Sequence, residues 1–440
     1  MPMTRRRWLT VAATTAAVLK PTLVRAETEI QFWHAMGGAL GEKTKELAEG
    51  FNRSQGEYRV NAVYKGNYTE TMTAAIAAFR ARQQPHIVQV FEVGTATMMA
   101  ATGAIKPVHA LMAEAGEKFD AAAYLPAVTG YYTTADGRML SLPFNSSTPV
   151  LYYNKDAFRK AGLDPARPPR TWPEVGEAAR KLQAAGLACG FTTCWQSWIQ
   201  LENFSAWHNV PFATRANGFG GLDAELRFNS PLHVRHIGQL AEWQKTKAFD
   251  YGGRRNEATA KFTSGECGML TESSAGYAGI KRTAKFEFGI GTLPYWPDVA
   301  GAPQNTIIGG ASLWVMAGHS PQAYRGVARF FSYLSSPEVQ ADWHQFTGYL
   351  PITRAAWDLT RKQGFYEKNP GTEISILQMT GKPPTENSKG LRLGNFVQIR
   401  DVIDEELEAV WAGKKPAKEA LDAAVRRGNE LLRQFERAHR

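Results

Sequence analysis

Residues 195–207, WQSWIQLENFSAW, hold Trp195, Trp198 and Trp207, three of the chain's twelve tryptophans. At helical spacing Trp195, Trp198, Ile199 and Glu202 share one face. Such a face is either core bulk or one wall of a ligand site. An aromatic wall packs against carbons, and its ring attracts a cationic head. Trp207 is read as core. Arg400 is the second group able to do chemistry. It flanks an apolar face formed by Phe396, Ile399, Ile403 and Leu407. A guanidinium there either enters a cleft, where its planar fork suits an oxyanion, or pairs with Asp404 four residues on.

Catalytic signatures are missing. The sequence has no HExxH, no GxSxG and no P-loop; GGALGEK has the wrong spacing for one. His233 and His236 share a helical face but lack a third ligand, so they are read as solvated. The acids of DEELE (404–408) are read as a solvent face. No metal or cofactor is expected, and the chain is not read as an enzyme. Aromatic platforms also serve glycosidases, which need two carboxylates flanking a bond. A secreted hydrolase of sugars or phosphodiesters therefore stands as an alternative.

The elements that must hold these groups follow from the pattern. A chain of 440 residues exceeds one ordinary core, so two domains are expected. Arg5, Arg6 and Arg7 precede the apolar run WLTVAATTAAVL, which is too short to span a bilayer. Residues 1–26 read as a signal peptide cleaved near Ala26, with RRRWL resembling a twin-arginine signal. Setting aside its five basic residues lowers the formal charge from +10 to +5. That balance gives no reason to expect nucleic acid or a membrane surface as partner. Export permits a disulfide among Cys189, Cys194 and Cys267, and an odd count leaves a thiol over; the pairing stays open.

From residue 28 onward strand and helix patterns alternate as βαβαβ, which argues for a mostly parallel sheet. In such sheets ligands lie beyond the carboxyl ends of the strands. His34, Tyr68 and Glu92 fall there. Met72, Ile76 and Phe79 would share the buried face of the second helix. Thr171 and Glu174 form a capping box, and Ser273 or Ser274 caps a later helix. TIIGGASLWVMAG reads as a buried returning strand, and helices are expected over 320–346, 395–412 and 416–437.

PVLYYNKDAFRKAGLDPARPPRTWPE resembles the extracytoplasmic solute-binding proteins of sugar-type ABC importers. FWHAMGG, YKGNYTETM, FEVGTATMMA, PFNSSTPVLYYNKDAF, IQLENFSAW, IIGGASLWVM, WHQFTGYLPIT and KGLRLGNFVQIR narrow the likeness to the periplasmic branch that binds glycerol-3-phosphate. It runs along nearly the whole chain after residue 26. It implies an α/β, two-lobe periplasmic-binding-protein fold of type II, like that of maltose-binding protein, with the ligand cleft between lobes. The expected N-terminal lobe is 27–145 with 306–352, and the C-terminal lobe 146–305 with 353–440. The implied activity is a periplasmic receptor, monomeric, for glycerol-3-phosphate or diesters such as glycerophosphocholine. Its implied partners are membrane permease subunits with a cytoplasmic ATPase.

The resemblance also carries site residues. They are Tyr68, Glu92, Ser147, Trp195, Trp198, Ser273, Gly310, Tyr349 and Arg400. Their chemistry suits such a ligand. Arg400 would take the phosphate, and Ser273 would add a hydroxyl and free N–H groups at a helix start. Glu92 would accept from the glycerol hydroxyls, away from the phosphate. Tyr68 and Tyr349 would donate through their phenols, Gly310 would let backbone approach, and the two tryptophans would wall the carbons; Ser147 lies where the chain enters the second region. A sugar-binding receptor of the same fold is the nearer alternative, and it has no need of Arg400.

Overall fold

The computed structural model describes Met1 and residues 27–439. The expected signal peptide and cleavage point therefore lie outside the described residues, Met1 apart. Strands β1 (Thr28–His34), β2 (Tyr58–Tyr64) and β3 (Ile87–Phe91) pair in parallel. The helices Gly38–Ser54 and Tyr68–Arg80 connect them. On β1, Ile30, Phe32 and His34 point inward at the two-residue strand period. β3 is buried throughout, as a central strand covered on both faces must be. Asn67 and Glu70 form a capping box that starts the second helix at Tyr68.

The remaining strands are β4 (Ile105–Lys106), β5 (Leu142–Ser147), β6 (Pro149–Asn154), β7 (Cys189–Thr193), β8 (Cys267–Ser273), β9 (Phe288–Gly291) and β10 (Gly309–Met316). One sheet has the order β2-β1-β3-β10-β4, with β5 also on β10; the other has β7-β8-β6-β9. The first sheet is more mixed than expected. β10 returns antiparallel to β3, β4 and β5, because it arrives from the other lobe rather than through a crossover helix. The two sheets, each packed with helices, make two lobes. Only Thr148 separates β5 from β6, and the chain crosses back between β9 and β10. Thr148 is buried and donates to the Ser375 carbonyl at 2.9 Å.

Several local expectations change. Ile76 is exposed, while Met72 is buried. The 320–346 segment breaks into Pro321–Leu334 and Pro337–Thr347, since Pro337 cannot continue the first helix. Helix Arg354–Lys362 packs on Pro337–Thr347, across the lobe boundary expected at 352. His233 and His236 are not solvated but fully buried. Ser205 and Ser230 bond the two ring nitrogens of His233, and Gln200 bonds Nε2 of His236. Burial holds both rings neutral, that of His233 at a pKa of about 3. DEELE is not a solvent face either: Asp404 and Glu406 are buried.

Cys189 and Cys267 face each other across β7 and β8 and form the disulfide. Cys194 remains a buried thiol beside the Thr259 hydroxyl, and burial pushes its pKa well up. Among the described residues no helix is long and apolar enough to cross a membrane, and no cluster of His, Cys, Asp and Glu could hold a metal ion.

Candidate ligand-binding site

One cavity of about 440 Å³ lies between the lobes, and all nine residues anticipated from sequence line it. Strand ends deliver them. Glu92 follows β3 directly, Ser147 ends β5, Ser273 ends β8 and Gly310 is the second residue of β10. His34 ends β1 but does not line the cavity. Its Nδ1 accepts from the Met36 N–H at 3.2 Å and steadies the turn into Gly37.

Arg400 is the charged centre, on the helix Phe396–Trp411. It does not pair with Asp404. Its Nε and Nη2 donate to the two oxygens of Glu202 at 2.8 and 2.7 Å, and Nη2 also donates to Glu92 at 2.7 Å. All three side chains are buried. Burial opposes the charge on Arg400, but Glu202 and Glu92 more than offset it and hold the guanidinium protonated. Burial raises the pKa of Glu92, as does Glu202, while Arg400 works the other way. The expected separation of Glu92 from the phosphate-binding Arg400 does not hold. The two meet directly, so Glu92 borders the charged end of the cavity. Nη1 of Arg400 has no acceptor among the described residues.

The aromatic wall differs from the helical face that was expected. Trp195 precedes the helix in a left-handed bend (φ 46°). Residues Trp198–Asn203 form a π-helical turn, a wider winding that often marks functional sites. It places Trp198 in the cavity wall and Glu202 against Arg400. Trp198 is 4% exposed, and its indole N–H has no partner among the described residues. A Cβ on Gly309 would stand 2.5 Å from that ring, so glycine makes room for it. Trp207 is core, donating to the Leu293 carbonyl at 2.9 Å.

Gly310 has φ +97°, and a Cβ there would meet the Asn145 carbonyl at 1.8 Å. Asn145 in turn donates to the Tyr68 hydroxyl at 2.9 Å. The Tyr68 ring stacks on Phe91, and Tyr349 stacks on Trp343. Burial pushes both phenols up, that of Tyr349 to about 12, so both remain neutral donors. The Ser273 hydroxyl accepts from the Ala275 N–H at 3.1 Å, and its own N–H donates to Glu272 at 2.7 Å. The capping role and the cavity position thus coexist.

Sequence reasoning missed Glu202 as the partner of Arg400, Asn145 behind Tyr68, and part of the cavity wall. Gly37–Leu40, Gly276, Gly279 and Arg282 also line the cavity. The paired glycines of FWHAMGG were the available signal.

A two-lobed α/β fold with a cleft lined from both lobes defines a solute-binding receptor, and the chain belongs to the bacterial extracellular solute-binding protein family, which matches residues 46–373. It is 57% identical over 414 residues to the sn-glycerol-3-phosphate-binding periplasmic protein UgpB of Salmonella typhimurium, covering 94% of each chain. It is 56% identical over 415 residues to its Escherichia coli counterpart, again covering 94% of each. Among solved structures, UgpB of Mycobacterium tuberculosis in complex with glycerophosphocholine superposes with a TM-score of 0.78 at 22% identity, covering 93% of this chain and 99% of that one. Maltose-bound MalE3 of T. maritima superposes with 0.74 at 19%, covering 92% and 100%. The family is one of binding proteins, so recognition and not catalysis is the activity it defines.

Proposed function

We propose that this protein is the periplasmic receptor of an ABC importer for sn-glycerol-3-phosphate and its diesters. The observation that carries the reading is Arg400: a buried guanidinium lining an interlobe cavity, held in place by Glu202 and Glu92. A phosphate ester supplies oxyanions for Nη1, and the Trp198 indole N–H and the phenols of Tyr68 and Tyr349 add neutral donors. Trp195 and Trp198 cover the glycerol carbons. Ser147, Ser273 and Gly310 bring hydroxyls and backbone to the polar atoms.

The contact between Arg400 and Glu92 joins the segment after β3 to a helix packed on the other lobe. A ligand bridging both sides biases the receptor toward its closed form. The closed form is what permease subunits, driven by a cytoplasmic ATPase, would receive. The chain acts as a monomer, exported and cleaved near Ala26, with RRRWL resembling a twin-arginine signal. Identity above 55% to two glycerol-3-phosphate-binding proteins supports the ligand class.

The test is calorimetric titration of mature protein, unfolded and refolded to remove carried-over ligand. The titrants are glycerol-3-phosphate, glycerophosphocholine, maltose and inorganic phosphate. One-to-one binding of a glycerol ester with no heat from maltose is expected. Silence from both esters with a response to maltose would overturn the ligand and leave the fold standing.

A further inference from the structure

The charges around the cavity do not suit an anion as they stand. Arg400 already faces two carboxylates, Glu92 and Glu202. Arg282 also lines the cavity, but it is more than half exposed and lies 3.4 Å from the Glu42 carboxylate. A third buried carboxyl, Glu272, lines the same cavity beside Ser273.

Glu272 differs from Glu92 and Glu202 in having no cation among the described residues. Its Oε1 accepts from the Ser273 N–H at 2.7 Å, and its Oε2 accepts from the Thr259 hydroxyl at 2.8 Å. Both donors are neutral. The titratable groups that face it are the Cys194 thiol just after β7, the Tyr152 phenol of β6 and the Tyr349 phenol beyond the helix Pro337–Thr347. Burial raises the pKa of all three, so none of them carries charge near neutral pH. The Trp195 indole is the remaining donor toward the carboxyl. A Cβ on Gly276 would stand 2.7 Å from the Glu272 Cγ, so glycine there makes room for the acid.

Burial without a cation disfavours the ionised form and raises the pKa of Glu272 to about 7. An anion entering the cavity disfavours it further, since like charges in one desolvated site raise each other's cost. The neutral acid loses nothing by the exchange. It still accepts from Ser273 and Thr259, and it gains one O–H to donate.

We infer that Glu272 is a further recognition residue that meets the phosphate ester in its protonated form, so that binding draws a proton from solvent into the site and affinity rises in acid. The inference rests on the phosphate-ester reading of the cavity.

The test titrates refolded parent and Glu272→Gln with glycerol-3-phosphate at pH 5.5 and pH 8, each in two buffers of different ionisation heat. Glutamine keeps the size of the acid, cannot ionise and removes a buried charge, so the variant should fold. The second ionisation of the phosphate, at about pH 6, is common to both proteins and cancels in the ratio of their affinities. The variant should match the parent at pH 5.5 and bind ~tenfold more tightly at pH 8. At pH 8 the parent's heats should depend on the buffer, reporting uptake of most of one proton, and the variant should lack that proton. A ratio that does not change with pH overturns the inference. A variant that takes up the same proton as the parent also overturns it and moves the titrating group to Glu92. A parent that gives no heat with glycerol-3-phosphate at either pH overturns the phosphate-ester reading, and this inference with it.

Discussion

Glu202 grips Arg400 at two points, Oε1 to Nε at 2.8 Å and Oε2 to Nη2 at 2.7 Å. This fork-to-fork geometry fixes the guanidinium plane as well as its position. Glu202 does not line the cavity; it acts through Arg400. Glu92 shares the same Nη2, so two carboxylates neutralise one cation before any ligand arrives. A phosphate bound there, as proposed, would compete with fixed carboxylates for the same charge.

Arg400→Ala should abolish detectable heat with glycerol-3-phosphate. It should also cost about 3 kcal/mol of stability, since Glu92 and Glu202 would be left buried without their cation. Glu202→Gln should keep the fold and weaken binding ~tenfold, because one charged anchor of the fork is lost. Titration and thermal melts on the same samples check both. Parent-like affinity in Arg400→Ala would place the phosphate elsewhere.

Glu272 predicts a pH signature. Burial raises its pKa from 4.5 to about 7, with bonds from Cys194, Thr259 and Ser273 opposing. A carboxyl whose folded pKa is raised contributes stability that is complete below the unfolded value and lost as pH climbs through the folded one. The window here is pH 4.5 to about 7. Glu272→Gln cannot ionise. Relative to the parent it should gain about 3 kcal/mol between pH 5 and pH 8. Urea melts at the two pH values read the difference. A gap that does not change with pH would show the carboxyl to be ordinary.

The two adjacent glycines should fail differently. Gly310→Ala meets the Asn145 carbonyl in a left-handed backbone and should lose about 2 kcal/mol or more. Gly309→Ala presses on the Trp198 ring instead. Its main effect should be weaker ligand binding with an altered tryptophan emission, at smaller cost to the melting temperature. Equal effects on folding and binding in the two variants would contradict this division.

The disulfide closes a loop with a sequence separation of 78 residues. Replacing Cys189 and Cys267 with alanine should cost up to about 4.5 kcal/mol in the chain-entropy account. Cys194→Ala should be nearly silent on melting. Thiol labelling without reductant should find no reactive cysteine in the folded protein and one after unfolding.

The parallel core β2-β1-β3 was readable because its alternation and turn signals are local, and so were the caps at Thr171 and Ser273. The nine expected site residues were reached through long motif likeness; by type alone, most of them looked like ordinary turn, cap or core residues. What escaped was non-local. The Arg400–Glu202 contact spans 198 residues, whereas the pairing with Asp404 that spacing suggested spans four. The burial of His233 and His236 depends on Gln200 and Ser205 from another helix. The bend at Trp195 depends on a backbone sign that no periodicity reveals.

Thr148 joins the two sheets between Ser147 and β6, while Glu42 and Arg282 stand at the outer margins of the cleft. Rotation about a chain crossing moves nearby atoms little and distant atoms far. Beside such a crossing, Ser147 would move little as the lobes turn and, on the proposed reading, could receive a ligand early. The margins have the longest lever arm. The loose Glu42–Arg282 pair costs little to break, so it behaves as a weak clasp at the point of greatest travel. On the proposed reading, escape of a bound ligand would then be timed at this rim rather than at the buried Arg400.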